Sequence, residues 1–432
     1  MNMKKISICL ILFTLSWVIF PGTDFSPYFK TKAHEYYAEA VQLRRTLHAM
    51  PELCFCEQKT SALAAAYLKK LGLEVQSGIA GTGFKAILHG RRATPVLAIR
   101  TDMDALPITE ATGLSFSSQN EGVMHACGHD MHMTNVLMTA KLLAGIRNKL
   151  PGTVVFIFQP CEEGAAAGEK SGADKLIAAG ILESPHVDAI IGLHVMPDIP
   201  SGQIGLCPGP FMASVAWVYI SIEGKSSHGA FPHQGIDAIY AASSAVLQFQ
   251  SVISRQKDPA EKAVLTIGTM KGGVRRNVLA DHVEMEGTVR SFSFAVEKQI
   301  EEGMGRILKG LEIMFGVRTR LVFERANSYL QNDPQLTGFF LPVFRRILGE
   351  DNVKIIEPVT IGEDFSAYSH RIPALFFFLG VGQGEKPAAL HTPDLNPDEK
   401  TLAIAPVLFA SAAVSYLQNY PVKSRTIHQI KK

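Results

Sequence analysis

Three histidines, a cysteine and an aspartate fall within eight positions in the stretch Met124-His125-Ala126-Cys127-Gly128-His129-Asp130-Met131-His132. Soft sulfur, borderline imidazole and hard carboxylate together point to a transition-metal site. Cys127 and His129 are two apart, so a loop bent at Gly128 can bring both to one ion. The plainer alternative is a polar turn ahead of a helix, with a buried structural cysteine. The rest of the chain has to decide between them.

Other groups of the right type follow. Glu162-Glu163 is a carboxylate pair: one member can ligate metal, while the other takes a proton from water and delivers it to a leaving amine. Adjacent acids on a surface loop are common, so the pair gains meaning only beside His194 and the Cys127/His129 loop. His391 and Glu363-Asp364 lie further on. A lone histidine in a loop is more often structural or solvated than a ligand.

The elements that must position these residues are legible as alternating periodicities. Amphipathic spacing predicts helices over 33–49, ended by Pro51, and 60–71, closed by Gly72. Strands are expected at 84–88, 96–100, 154–158 and 187–193, with a helix starting after Asp130 and continuing through 141–150, and another over 173–179. This alternation implies a mostly parallel α/β sheet. Asp102 and Asp104, Glu162 and Glu163, and His194 each come just after such a strand. Open α/β sheets bind ligands beyond the carboxyl ends of their strands, so three strands would deliver acids and imidazoles to one edge.

The pattern changes near Pro208-Gly209-Pro210. A strand over 214–222, a helix over 235–254, strands over 264–270 and 282–290, a helix over 294–315 and a strand over 317–323 form the split βαβ order of ferredoxin-like domains. Residues 209–322 are therefore read as an inserted second domain, with 30–208 and 323–422 forming one discontinuous domain. Within the insertion, His228 could polarise a carbonyl, Asn277 could hydrogen-bond it, and Arg290 could clamp a carboxylate in bidentate fashion. Arg290 could equally be a strand-end surface charge. A helix over 336–348, a strand over 374–379 and a helix over 400–417 complete the first domain.

With 432 residues, 47% hydrophobic content and 19% charged content, the chain is globular and long enough for two cores. A net charge of +2 and the lack of a basic stripe interleaved with aromatics argue against nucleic acid. Lys4 and Lys5 precede an apolar run from Ile6 to Phe20, the form of a secretory signal over 1–22. Its cleavage site is not defined, and an uncleaved anchor is the alternative. No later stretch reads as a membrane span, so the expected location is exported, periplasmic or secreted. Removing the signal would take Cys9 with it and leave five cysteines, an odd number, so at least one thiol is free or bound; Cys127 is the candidate. Cys54 or Cys56 could pair with Cys161 or Cys207, and buried free thiols are the alternative.

Arg44-Arg45-x-x-His48-x-x-Pro51-Glu52-Leu53, Arg100-Thr101-Asp102-Met103-Asp104-Ala105-Leu106-Pro107, Met124-His125-Ala126-Cys127-Gly128-His129-Asp130 and Phe158-Gln159-Pro160-Cys161-Glu162-Glu163 occur in order. Ser227-His228-Gly229-Ala230, Asn277-Val278, Gly287-Thr288-Val289-Arg290, Gly362-Glu363-Asp364-Phe365 and His391-Thr392-Pro393 follow. Together they resemble the bimetallic amidohydrolases that include hippurate hydrolase, plant indole-acetyl-amino-acid hydrolases and bacterial N-acyl-amino-acid amidohydrolases, relatives of aminoacylase and glutamate carboxypeptidase. The resemblance covers about residues 34–420. It implies a phosphorylase/hydrolase-like α/β metallopeptidase domain carrying a ferredoxin-like lid that dimerises, and hence a homodimer or dimer-based oligomer. It implies two divalent ions (zinc, manganese, cobalt or nickel) on Cys127, His129, Glu163, His194 and His391.

By the same resemblance, Glu162 is the general base, Asp104 a supporting aspartate and His228 an oxyanion-stabilising residue, often donated across a dimer interface in relatives. Asn277 and Arg290 match positions that hold the substrate's carbonyl and carboxylate. The activity implied is hydrolysis of the amide bond of N-acyl-L-amino acids, with a carboxypeptidase or dipeptidase as the alternative. A member that binds without turnover would be expected to lack Glu162 or a ligand, and all are present. Two departures stand out: Thr101 where many relatives have alanine, and Cys161 beside the glutamate pair. An export signal is also unusual among relatives, many of which are cytosolic.

Overall fold

The computed structural model describes residues 23–164 and 169–419. The expected signal over 1–22 and the tail from Lys423 lie outside them. The expected helix over 33–49 is two helices, α1 (Ser26–Glu35) and α2 (Tyr37–His48), with the break at Tyr36. Pro27 in the first turn of α1 suits helix initiation and explains the earlier start. After α3 (Gln58–Lys70) come β1 (Glu74–Ile79), β2 (Gly83–His89), β3 (Val96–Asp102), α4 (His129–Ala144), β4 (Thr153–Gln159), α5 (Gly172–Ala178), β5 (Ala189–Pro200), β6 (Ile204–Leu206) and β7 (Gly209–Met212). Then follow β8 (Val215–Glu223), α6 (Ala238–Ser251), β9 (Ala263–Gly272), β10 (His282–Ser291), α7 (Phe294–Phe315) and β11 (Arg318–Asn327). The order closes with β12 (Leu330–Asn332), α8 (Pro334–Leu348), β13 (Val353–Ile355), α9 (Ser366–Ser369), β14 (Ala374–Gly382) and α10 (Ala405–Asn419).

The main sheet has eight strands in the order β1-β2-β4-β3-β5-β14-β6-β13. Its centre, β4-β3-β5-β14, is parallel, while β1, β2 and the β14–β6 pairing are antiparallel. The sheet is therefore mixed, with four of its seven pairings parallel, the fourth being β6–β13. Every residue of β3 and β4 is buried, which is why both read as continuous apolar runs rather than alternating ones. One face packs against α1, α2, α3, α4, α8 and α10 in the largest core. The other carries a smaller core with α5 and α9. The parallel centre puts the carboxyl ends of β3, β4, β5 and β14 on one edge.

Two expectations are corrected here. The helix expected to continue through 141–150 is α4, which ends at Ala144 and is followed by the 3-10 turn Arg147–Lys149. The helical stretch Glu399–Asn419 is long and apolar enough to cross a membrane, contrary to expectation, but 78% of its apolar window is buried inside the protein. It is a core helix by packing.

The second sheet is four-stranded and antiparallel, in the order β11-β8-β10-β9, with chain order β-α-β-β-α-β. Alternation explains β8: Ala216, Val218, Ile220 and Ile222 enter a separate core with α6 and α7, while Trp217 and Tyr219 occupy the other face. β11 runs to Asn327, past the boundary expected at 322.

Candidate metal centre

Cys127 and His129 flank the start of α4. Gly128 between them has φ +82°, and an added Cβ would lie 2.4 Å from Val195 Cγ2. Both the backbone conformation and the space therefore require glycine. His129 Nδ1 lies 2.8 Å from the Asp104 carbonyl, and His194 Nδ1 lies 2.6 Å from the Val195 carbonyl. Each ring donates its Nδ1–H to a carbonyl, which leaves Nε2 as a bare donor atom, the usual arrangement of a metal-binding histidine. His194 sits within β5 rather than after it, because that strand continues to Pro200. His391 lies on the loop after β14, and its backbone N–H donates to the Ala126 carbonyl at 2.8 Å. That bond stitches the His391 loop to the Cys127 loop.

The donor atoms converge. Cys127 Sγ is 3.2 Å from His194 Nε2 and 3.3 Å from His391 Nε2. Glu163 Oε1 is 3.2 Å from His391 Nε2 and 3.8 Å from His129 Nε2. Glu162 Oε2 reaches to 4.0 Å of His129 Nε2. Asp104 holds this loop from below: one of its oxygens accepts the Glu162 N–H at 3.0 Å and the other the Glu163 N–H at 2.9 Å. Asp104 therefore acts through the glutamates. Cys161, just before them, is disulfide-bonded to Cys54, leaving Cys56, Cys127 and Cys207 free.

The electrostatics favour a cation. Burial, reinforced by Glu163 and Glu162, pushes the Cys127 thiol well up, so its thiolate needs a positive partner. Burial opposes charge on His129, yet Asp102, Asp104 and Glu163 together raise it to about 10. His194, buried and facing His132 and His129, is lowered to about 3 and stays neutral. Glu163 is held at about 2, against its burial, by His391 and His129. Glu162 moves the opposite way: burial and the neighbouring Glu363, Glu163 and Asp364 raise its carboxyl well above the usual range. Two carboxyls with opposed shifts suit divided roles, a ligand and a proton carrier.

The sequence assigns no individual role to Asp102, His132, Arg100 and Gln159, and marks Glu363-Asp364 as groups that could ligate or orient a ligand. Asp102 is fully buried, 2.7 Å from His132 Nδ1 and 2.8 Å from Arg100 Nη1. His132 Nε2 accepts the Val195 N–H at 2.9 Å. This couple ties α4 to β3 and β5 directly beneath His129. Arg100 also reaches Glu363 at 3.1 Å and Asp364 at 3.0 Å, and Gln159 donates to Asp364. The signal for His132 was its spacing from His129, three residues along one helix face.

The centre opens into a cavity of about 1110 Å³ between the two sheets, lined by Cys127, Glu162, Glu163, His194 and His391 on one side and by Trp217, Tyr219 and Arg290 on the other. Arg290 is half-buried, which lowers its pKa, and it has no carboxylate partner among the described residues. Its guanidinium carbon lies 6.0 Å from the Trp217 ring centre. His228 and Asn277 are placed elsewhere. They neighbour each other through the Gly229 N–H to Asn277 carbonyl bond of 2.8 Å, and both are exposed and outside the cavity lining.

The residues fit a divalent metal. His129 Nε2 is buried without a hydrogen-bond partner among the described residues, a costly state that an ion relieves. Donor atoms of Cys127, His129 and His194, of Cys127, Glu163 and His391, and of His129, Glu162 and Glu163 form three overlapping groups, each within 4.8 Å. Sulfur, imidazole and carboxylate in one cluster suit a transition ion.

Comparison with known proteins agrees with this centre. Residues 98–414 match the model of Peptidase family M20/M25/M40. The chain is 36% identical to the N-acetyl-L-cysteine deacetylase of Bacillus subtilis, over 88% of this chain and 89% of that one. It is 36% identical to the N-acetyldiaminopimelate deacetylase of Brevibacillus brevis, over 84% and 94% of the two chains. The crystal structure of the Bacillus subtilis YXEP protein, a dinuclear metal binding peptidase from the M20 family, superposes with a TM-score of 0.77 at 36% identity, covering 89% of this chain and 99% of that one. The family match begins within β3 and takes in the second sheet and every residue of the donor cluster, and on it the chain belongs to Peptidase family M20/M25/M40.

Proposed function

We propose that the protein hydrolyses the amide bond of N-acyl-L-amino acids, releasing a carboxylic acid and a free amino acid. The observation that carries this is one cavity holding a cluster of metal donors, a raised carboxyl at Glu162 and an unpaired guanidinium at Arg290. The deacetylases named above act on N-acetyl amino acids, which supports the substrate class. Two divalent ions per chain, drawn from zinc, manganese, cobalt and nickel, would be held by Cys127, His129, Glu163, His194 and His391. When bound, such ions polarise a carbonyl and lower the pKa of water towards about 7.

The chain's own residues do the rest. Arg290 holds the substrate carboxylate against the Trp217 side of the cavity. Glu162, kept at hand by Asp104, takes the proton of the attacking water and gives it to the departing amine. The ring nitrogens of His129 and His194 are fixed by their carbonyl partners, so they need no reorientation.

The second sheet is proposed as a lid inserted at about 209–322, and as the face through which two copies pair. Exposed Tyr240 and Leu247 on α6, and the edge strand β9, support pairing there. His228 and Asn277, exposed and away from this chain's own centre, would then serve the partner's site as oxyanion and carbonyl ligands. An exported location is supported by the Cys54–Cys161 disulfide, since such bonds persist in oxidising compartments.

The test is metal content together with hydrolysis of N-acetyl amino acids, hippurate and dipeptides by the purified protein, with and without chelator. Chelator-sensitive release of free amino acid is expected. Metal binding with no cleavage on the panel would overturn the activity, and preference for dipeptides would move the substrate class to peptides.

A further inference from the structure

The loop bearing Glu162 and Glu163 is gripped at the residue just before them. Cys161 is buried and adopts φ +52°, a region that residues with a Cβ seldom occupy. All three of its polar handles are engaged. Its N–H donates to Glu57 Oε1 at 2.9 Å, its carbonyl accepts the Gly172 N–H at 3.0 Å, and its sulfur is bonded to Cys54. Glu57 Oε1 also accepts the Phe55 N–H at 3.0 Å, so one carboxylate ties both arms of the disulfide together. On the same side, Ala105 N–H donates to the Glu52 carbonyl at 2.8 Å, which couples the cysteine turn to the strand end carrying Asp104. The turn at 52–57 is thus fastened both to the glutamate loop and to the residue that holds that loop.

We propose that the Cys54–Cys161 disulfide is a positioning pair for the hydrolytic centre, and that its reduction by a dithiol slows turnover. This rests on the reading of Glu162 as proton carrier and Glu163 as metal ligand. Cys54 is half-buried and Cys161 buried, so the thiolate of the dithiol attacks Cys54 Sγ. The S–S bond breaks with its electron pair leaving on Cys161 Sγ, which takes up a proton. The second thiol of the reagent then displaces Cys54, which leaves as a thiol. The cystine gains two electrons and two protons, and the dithiol becomes a cyclic disulfide. Cys161 then keeps only its backbone bonds while holding a backbone conformation disfavoured for it.

The experiment uses the metal-loaded protein, reduced with dithiothreitol, desalted anaerobically, resupplied with metal and assayed on N-acetyl amino acids. Cys54→Ser/Cys161→Ser and Cys56→Ser proteins are treated identically. The reduced wild type should gain two titratable thiols and lose kcat by about ten-fold to a hundred-fold, the cost of a reacting group displaced by about 1 Å. KM should stay nearly constant, and reoxidation should restore kcat. The double variant should start at the reduced level and not respond to reductant, and Cys56→Ser should behave as wild type. Release of metal to a chromogenic chelator, read without substrate, should be faster in the reduced protein.

A reduced wild type that keeps its kcat and its metal, with a change only in melting temperature, would overturn the positioning role. So would a double variant that falls on reduction as far as the wild type, because the effect would then lie at Cys127. If the oxidised protein cleaves no N-acyl amino acid, the activity is misassigned, while the metal-release comparison still decides the clamp. Should the double variant not fold, reversible loss and recovery in the wild type carries the same decision.

Discussion

Asp104→Asn separates positioning of the glutamate loop from its chemistry. The carboxylate spends one oxygen on the Glu162 N–H and the other on the Glu163 N–H, at 3.0 and 2.9 Å. Asparagine keeps the shape but offers one acceptor, so its amide NH₂ must face a backbone N–H. The loop loses one charge-assisted hydrogen bond, worth about 1.5–3 kcal/mol, and gains a donor–donor contact. At about 2 kcal/mol, the balance between the seated and displaced loop shifts by roughly thirty-fold. Supporting residues of metal centres commonly cost about 10–100-fold when changed, and the same range is expected here in kcat or in metal affinity. Saturating metal should restore part of the loss, since Glu163 still carries its carboxylate, whereas the share due to Glu162 should persist. The assay is kcat at saturating metal, with metal content measured after dialysis, below the melting temperature of the variant. A kcat within about two-fold of wild type with undiminished metal would refute the claim that Asp104 seats this loop.

Glu162→Gln should retain metal and lose about 10²–10⁴-fold in kcat; metal analysis and turnover on one preparation check it, and an unchanged kcat would remove Glu162 from proton transfer. Arg290→Ala should raise KM for substrates with a free carboxylate by roughly ten-fold or more, the worth of a charged hydrogen bond, while substrates amidated at that position should be little affected. Arg44 Nε and His48 Nδ1 each lie 2.8 Å from Asp130 Oδ2, and His48 Nε2 lies 3.3 Å from Glu110 Oε1; this network should show in acid. Despite burial, hydrogen bonds from His48, the Ser118 N–H and Thr112 hold Glu110 at about 2 against an ordinary 4.5. A depressed carboxyl contributes stability that is present above pH 4.5 and is lost as pH falls towards 2. Glu110→Gln should therefore lower the melting temperature clearly at pH 7, by less than half as much at pH 3 and little at pH 2; equal losses at pH 7 and pH 2 would contradict the linkage.

The residues legible in the sequence were those whose type and setting are both uncommon. Cys127 and His129 stood out in this way, the full set with Glu163, His194 and His391 came from the family resemblance, and the structure brings all five together. The fully buried strands β3 and β4 were legible from the apolar runs over 96–99 and 154–158. β1 was not, because Glu74, Gln76 and Ser77 make it polar, and it lies at the sheet edge. β6 and β13 have three residues each and exist only because β6 pairs with β14 on one side and with β13 on the other, which no local pattern encodes. The partner of Cys54 was equally out of reach, since its bond spans 107 residues and depends on where β4 ends. The Asp102–His132 couple was half visible: both residues stood in quoted motifs, but their pairing arises only when α4 packs over β3.

All five proposed ligands, Glu162 and Asp104 come from the strands of the main sheet, the loops around them and the start of α4, while Arg290 alone among the cavity groups named from sequence comes from the second sheet. The donors are set by bonds internal to that main sheet: Asp104 to the glutamate loop and to His129, Val195 to His194, Ala126 to the His391 loop. None of these bonds crosses to the second sheet. Metal binding should therefore be insensitive to where the second sheet stands, whereas the proposed hold of Arg290 on a substrate carboxylate would depend on it. A small shift between the sheets would carry Arg290 away from Glu162 without disturbing a single donor. On the proposed function, this arrangement would separate holding the metal from admitting the substrate, so that the second sheet could set specificity while the ligand geometry stays fixed.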